Sequence, residues 1–137
     1  ILAESEVLVV AAAGNQGIGA PAAYPAAHPH TFAVTATDAR DALYANANRS
    51  IYIDIAAPGV DVIAPAPHNN YELVTGTSVA TAQMTGICAL LLSQNPALTR
   101  DQVIDLLQST SLDAGAPGQD PEFGLGLVDA FKATNQL

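Results

Sequence analysis

Gly76-Thr77-Ser78-Val79-Ala80-Thr81 stands where an apolar helix begins, and a serine at that point has a definite chemical use. A serine hydroxyl is a weak nucleophile until a base takes its proton and donors hold the oxyanion that forms. A helix N-terminus offers free backbone N–H groups and the positive end of the helix dipole, so Ser78 sits where an oxyanion is stabilised. The same residue types suit plain capping, with Ser78 or Thr77 as the N-cap. A second stretch, Ala13-Gly14-Asn15, closes an apolar run. Residues at the carboxyl ends of parallel strands line active-site crevices, and an asparagine amide there can donate to developing negative charge. Asparagine after glycine is equally a common turn residue. Taken singly, each stretch leaves both readings open.

The elements that must position these residues follow from the apolar pattern. Residues 7–13 read as a strand buried on both faces, as in a parallel sheet, and residues 14–19 as a loop. Pro21, Pro25 and Pro29 then forbid a long helix. Residues 30–37 read as a second strand. Residues 51–55 read as a third, closed by Ala56-Ala57-Pro58-Gly59, and residues 60–64 as a short fourth. Tyr71-Glu72-Leu73-Val74 leads into the serine stretch. A helix over 78–93 follows, ended by Pro96; its small residues Ala80, Ala82, Gly86 and Ala89 would admit neighbouring backbones closely. Thr99-Arg100-Asp101-Gln102 is a capping box ahead of a helix with Val103, Ile104, Leu106 and Leu107 on one face. Residues 113–122 form a turn-rich loop, and a last helix spans 127–134. No internal repeat or linker interrupts the chain, and strands followed by packed helices give an α/β class.

The totals narrow the function classes. The chain has 137 residues, enough for one ordinary domain, and 50% are hydrophobic against 12% charged, so a packed core forms. With three Phe, four Tyr and no Trp, that core is built from Ala, Val, Ile and Leu. Four basic against thirteen acidic residues give a net charge of −9, which argues against nucleic acid and against anionic membrane surfaces. The longest apolar stretches are too short to span a bilayer. The lone Cys88 lies in an apolar run and reads as a buried structural thiol; it leaves the compartment undetermined. The first residue is Ile and no signal peptide is visible, which proves nothing about upstream targeting sequence.

Together, the serine and asparagine stretches resemble those of the subtilisin-like serine proteases, the subtilases of peptidase family S8. The run from Val7 to Gly17 resembles their "VVAAAGN" strand. Tyr24-Pro25, Phe32-Ala33-Val34 and Ala57-Pro58-Gly59-Val60 follow in the family's order. Gly76-Thr77-Ser78-Val79-Ala80-Thr81 is similar to its "GTSMAT" motif, and Gly124-Leu125-Gly126-Leu127-Val128-Asp129-Ala130 resembles its closing "GxGxVNA" segment. The resemblance covers nearly the whole chain. It implies part of a three-layer fold with a mostly parallel sheet flanked by helices, residues 1–137 being the C-terminal portion of the catalytic domain. It implies Ser78 as the acyl-forming nucleophile and Asn15 as side-chain donor to the oxyanion, with the Ser78 N–H as second donor. It implies Ala12, Ala13 and Gly14 as walls of the substrate pocket and Ala23 near its floor. The substrate would be a polypeptide, and secretion follows from the family alone.

Departures from the family bear on activity. Its triad runs Asp, His, Ser, and the Asp and His motifs lie upstream of its "VVAAAGN" strand; this chain contains neither. His28, His30 and His68 stand in no "HGTH"-like motif, and Asp54 and Asp61 read as structural or solvated. The family's Pro and His after the serine are here Ala82 and Gln83, which could shift Ser78. Val79 replaces an oxidisable Met. Some subtilases bind cations near the Tyr-Pro loop, where Ala26, His28 and Thr31 occupy comparable positions. Their side chains give no support for a metal, and no cofactor is expected. Two rivals remain. A dinucleotide-binding loop fails because the glycines run G-x-x-G-x-G and the prolines prevent the required helix. A subtilase-fold pseudoenzyme acting as a binding or scaffold module is permitted by Ala82 and Gln83. Without the missing half, the 137 residues are expected to be inactive and to self-associate through the exposed opening strand.

Overall fold

The computed structural model describes residues 7–137. Its opening apolar run forms β1, Val9–Ala12, which pairs in parallel with β2, Thr31–Thr37, from Val9↔Thr31 to Ala12↔Val34. β2 pairs in parallel with β3, Ile55–Pro58, from Val34↔Ile55 to Thr37↔Pro58, giving the order β1-β2-β3. Central β2 is buried at every position. The expected burial of β1 on both faces does not hold: Val9, Val10 and Ala12 are only half-buried, because β1 is an edge strand with no neighbour on its outer side among the described residues.

The third strand is displaced from its expected place. Residues 51–52 lie in a turn with Ile51 89% exposed, and the strand occupies the Ile-Ala-Ala-Pro segment instead. Tertiary pairing overrides the β-propensity of Ile51 to Ile53. The Asp54 N–H donates to the Ala33 carbonyl at 3.0 Å, and the Ala33 N–H donates to the Asp54 carboxylate at 2.6 Å, which fixes where pairing with β2 starts. Ala56 and Ala57 are small enough to be fully buried there, and Pro58, which has no N–H, comes last in the strand.

β4, Val62–Ala66, and β5, Asn70–Val74, form a separate antiparallel hairpin through His68 and Asn69, both at positive φ. The fourth strand thus lies two residues beyond the expected 60–64. α1 is Thr77–Gln94 and α2 is Arg100–Thr110. At the start of α2 the capping box is complete, Gln102 N–H donating to Thr99 Oγ1 and Thr99 N–H to Gln102 Oε1. α3 is Ala130–Asn135, shorter than the expected 127–134: Leu127 is held in bridges to Ala56 and Leu112, so the helix starts only after its Asp129 cap.

The helices lie on one face of the parallel sheet. Phe32, Val34 and Ala36 of β2 and Ile55 and Ala57 of β3 meet Ala80, Met84, Cys88 and Leu91 of α1, with Val103 and Leu107 of α2 behind. The α1 residues recur at helical spacing, as one buried stripe requires. Of the small residues expected to admit close neighbours, only Ala80 is buried. Ala82, Gly86 and Ala89 are exposed, and no heavy atom of the described residues lies within 4 Å of where a Gly86 Cβ would stand. On the other sheet face, Ala11, Ala26 and Ala33 pack with Tyr52. The observed class is α/β, as expected. No helix among the described residues is long and apolar enough to cross a membrane.

Candidate active site

The end of β1 delivers the asparagine. Ala13 N–H donates to the Val34 carbonyl at 2.9 Å, after which the chain leaves the sheet at Gly14. Gly14 has φ 110, a region that favours glycine, and the Asn48 side chain fills the space a Cβ would need. Asn15 follows. Its Oδ1 accepts the Thr77 N–H at 2.9 Å and the Thr77 hydroxyl at 3.0 Å, while Thr77 Oγ1 accepts the Gly14 N–H at 3.2 Å. A backbone N–H can only donate, so the atom facing it must be the amide oxygen. Nδ2 is therefore turned away from Thr77, and it donates to no group among the described residues.

Both capping readings are corrected by this arrangement. The α1 cap position is Gly76, with no side-chain cap of its own; Thr77 and Ser78 are the first two helical residues. Asn15 Oδ1 takes the cap's part from a distant segment by accepting one of the orphan N–H groups. This leaves the Ser78 N–H without an acceptor and the exposed Ser78 hydroxyl without a partner among the described residues. A Cβ built on Gly76 would lie 3.3 Å from Ser78 Oγ and 3.5 Å from Asn15 Nδ2, so the two groups face one common space.

The other expected site residues lie in separate elements. Ala12 ends β1, and Ala13 is fully buried with its carbonyl accepting the Tyr52 hydroxyl at 2.7 Å. Ala23 is half-buried in a separate turn, where its carbonyl accepts the Ala27 N–H at 2.8 Å. Asn48 and Tyr52, which hold the Asn15 loop, are not foreseen in the sequence: they match no motif, and Tyr52 falls in a stretch that reads as strand. Only an asparagine and a tyrosine four apart near an Ala-Pro-Gly turn could have drawn attention.

Among the described residues no base hydrogen-bonds to the serine. His28 Nδ1 accepts the His30 N–H at 3.2 Å, His68 sits exposed on the hairpin, and none of the three hydrogen-bonds to Ser78. Burial pushes the Asp54 carboxyl pKa up, partly opposed by the Ala33 N–H. Asp54 is thus structural, bound to the sheet. Burial also pushes the Cys88 thiol up to about 11, so it is no nucleophile at neutral pH. Among the described residues no group of three or more His, Cys, Asp or Glu could hold a metal ion. The region after β1 forms turns rather than a helix, so it offers no dinucleotide loop.

Known proteins share this arrangement of segments. The model of the Subtilase family matches residues 2–126. The minor extracellular protease Epr of Bacillus subtilis (strain 168) is 35% identical over 95% of the chain and 20% of its own length. Subtilisin Savinase of Lederbergia lenta is 38% identical over 93% of the chain and 46% of its own length. A solved lanthipeptide protease superposes with a TM-score of 0.87 at 25% identity, over 96% of the chain and 51% of its own. The chain spans less than half the length of these two curated relatives and about half of the solved structure.

Proposed function

The chain belongs to the subtilase family, and from that premise we propose that it supplies the nucleophile-bearing part of a serine endopeptidase. Ser78 attacks the scissile carbonyl, and Asn15 Nδ2 and the Ser78 N–H receive the oxyanion. The observation that carries this reading is the convergence of Asn15 Nδ2 and Ser78 Oγ on one space beside the free start of α1. Acyl transfer needs all three parts: a hydroxyl, preorganised donors and a base. The first two are here. The base and its orienting carboxylate come from an upstream portion of a longer polypeptide, since no histidine in the chain partners Ser78. The substrate is a polypeptide. The family resemblance assigns Ala12, Ala13, Gly14 and Ala23 to its pocket.

The free side of β1 supports the need for that upstream portion. Val7, Leu8, Val10, Cys88, Ala89 and Leu92 line an apolar groove of about 340 Å³ between β1 and α1. Val7 is 61% exposed, and the outer edge of β1 is unpaired among the described residues. An open strand edge beside apolar surface favours pairing with another chain. The upstream portion fills this groove; without it, the 137 residues self-associate and do not hydrolyse peptides. A secreted or extracytoplasmic location is proposed from the extracellular designation of Epr.

A fluorophosphonate probe on the completed protein tests the assignment. Labelling that is lost on Ser78→Ala supports the endopeptidase. A folded, unlabelled protein supports the binding or scaffold module that Ala82 and Gln83 permit, and rejects the enzyme.

A further inference from the structure

Asn15 is held through its side chain and not through its backbone. Its side-chain oxygen is held by Thr77, but its backbone N–H and carbonyl make no hydrogen bond among the described residues. The residues around it are fixed by one pair of side chains. Asn48 is 1% exposed, its Oδ1 accepts the Gln16 N–H at 2.9 Å, and its own N–H donates to the Gly14 carbonyl at 3.0 Å. Asn48 Nδ2 donates to the Tyr52 hydroxyl at 3.2 Å, and that hydroxyl donates to the Ala13 carbonyl at 2.7 Å. Residues 13, 14 and 16 are thus all tied to Asn48 and Tyr52, and Asn15 is carried between them.

We propose that Asn48 and Tyr52 are positioning residues for the Asn15 donor, setting where its Cα stands while Thr77 sets which way its amide points. This rests on the endopeptidase reading and adds to it two residues that touch neither substrate nor nucleophile. A buried asparagine is costly unless its donors and acceptor are satisfied. Here both side-chain atoms are engaged, and both engagements end on the Asn15 loop. The absent Cβ of Gly14 lets Asn48 approach that loop directly. An oxyanion donor is effective only when held before the charge develops. Displacement of the loop by a fraction of an ångström therefore weakens the transition state more than the ground state.

The test uses the completed protease and a chromogenic peptide substrate. Tyr52→Phe removes only the hydroxyl and keeps the ring; Asn48→Ser replaces the amide with a hydroxyl too short to reach both Gln16 and Tyr52. Each is made alone and with Asn15→Ala, and thermal unfolding is measured for all. Each single variant is expected to lower kcat roughly ten- to a hundredfold with KM little changed. In the Asn15→Ala background the same changes should alter kcat by less than about twofold, while the loss in Tm persists. An equal kcat loss in both backgrounds, or a change confined to KM, overturns the proposal and makes the pair merely structural. Should Asn48→Ser fail to fold, Tyr52→Phe decides alone. Hydrolysis that depends on Ser78 but not on Asn15 overturns this proposal and leaves the endopeptidase standing; absence of Ser78-dependent hydrolysis removes both.

Discussion

Asn15 and Thr77, 62 positions apart, hold one another at the junction of β1 and α1: Asn15 Oδ1 accepts both the N–H and the hydroxyl of Thr77, at 2.9 and 3.0 Å. The Asn15 amide oxygen caps the helix, and the amide nitrogen stands 3.5 Å from the point beside Gly76 that Ser78 Oγ approaches to 3.3 Å. The helix it caps thereby sets which way the amide points.

Asn15→Ala removes that donor. In the completed protease kcat should fall ~10²–10³-fold with KM nearly unchanged, a magnitude taken over from the same kind of substitution in a subtilisin. Steady-state kinetics check it. Because the Thr77 N–H also loses its acceptor, the unfolding free energy should drop as for a lost helix cap, by about 1 kcal/mol.

Ala82 lies sixth in α1, beyond the first turn, where a helical N–H is normally bonded. Proline there removes that donor and crowds the carbonyl four residues back, which belongs to Ser78. Position 82 thus acts directly on Ser78, the proposed nucleophile. The family's usual proline should pull Ser78 toward its attacking position, so Ala82→Pro in the completed enzyme should raise kcat for peptides while lowering thermal stability. An unchanged kcat would show that Ser78 is already placed.

Val79 follows the serine, and Met84, the chain's one methionine, is fully buried. Peroxide therefore finds no exposed thioether beside the site, and activity should survive brief peroxide treatment. Val79→Met should make the enzyme lose activity under the same treatment, through sulfoxide formation next to Ser78. Residual activity against exposure time distinguishes the two.

Asp54 carries a pH dependence of stability. Burial raises its pKa above the ordinary 3.8, against the opposing Ala33 N–H. The folded protein then holds the proton more tightly than the unfolded chain, so stability falls as pH rises through the window above that ordinary value. Asp54→Asn keeps an acceptor for Ala33 and has no charge to desolvate. It should raise the urea midpoint at neutral pH and flatten the fall of stability as pH rises above the ordinary 3.8.

The α2 capping box was legible because every partner lies within four residues: Thr99 and Gln102 satisfy each other with no help from the rest of the fold. β2 was legible because its apolar run is long and central. β3 was not. Its β-branched stretch became a turn, since Asp54 and Ala33 bind each other and pull the small alanines into the sheet. α3 was read too long because Leu127 found bridging partners on Ala56 and Leu112.

The sequence by itself determined the family, the α/β class and the two residues worth watching, Ser78 and Asn15, because short ordered motifs survive as strings. It could not choose between a cap and a donor for either. Only the tertiary structure decided that Asn15, and neither Thr77 nor Ser78, caps α1, by bringing β1 against the helix start, where the Asn15 amide oxygen and the Thr77 N–H satisfy each other. It alone revealed Asn48 and Tyr52, whose hydrogen bonds run to backbone atoms, and backbone atoms carry no residue type for a sequence to display.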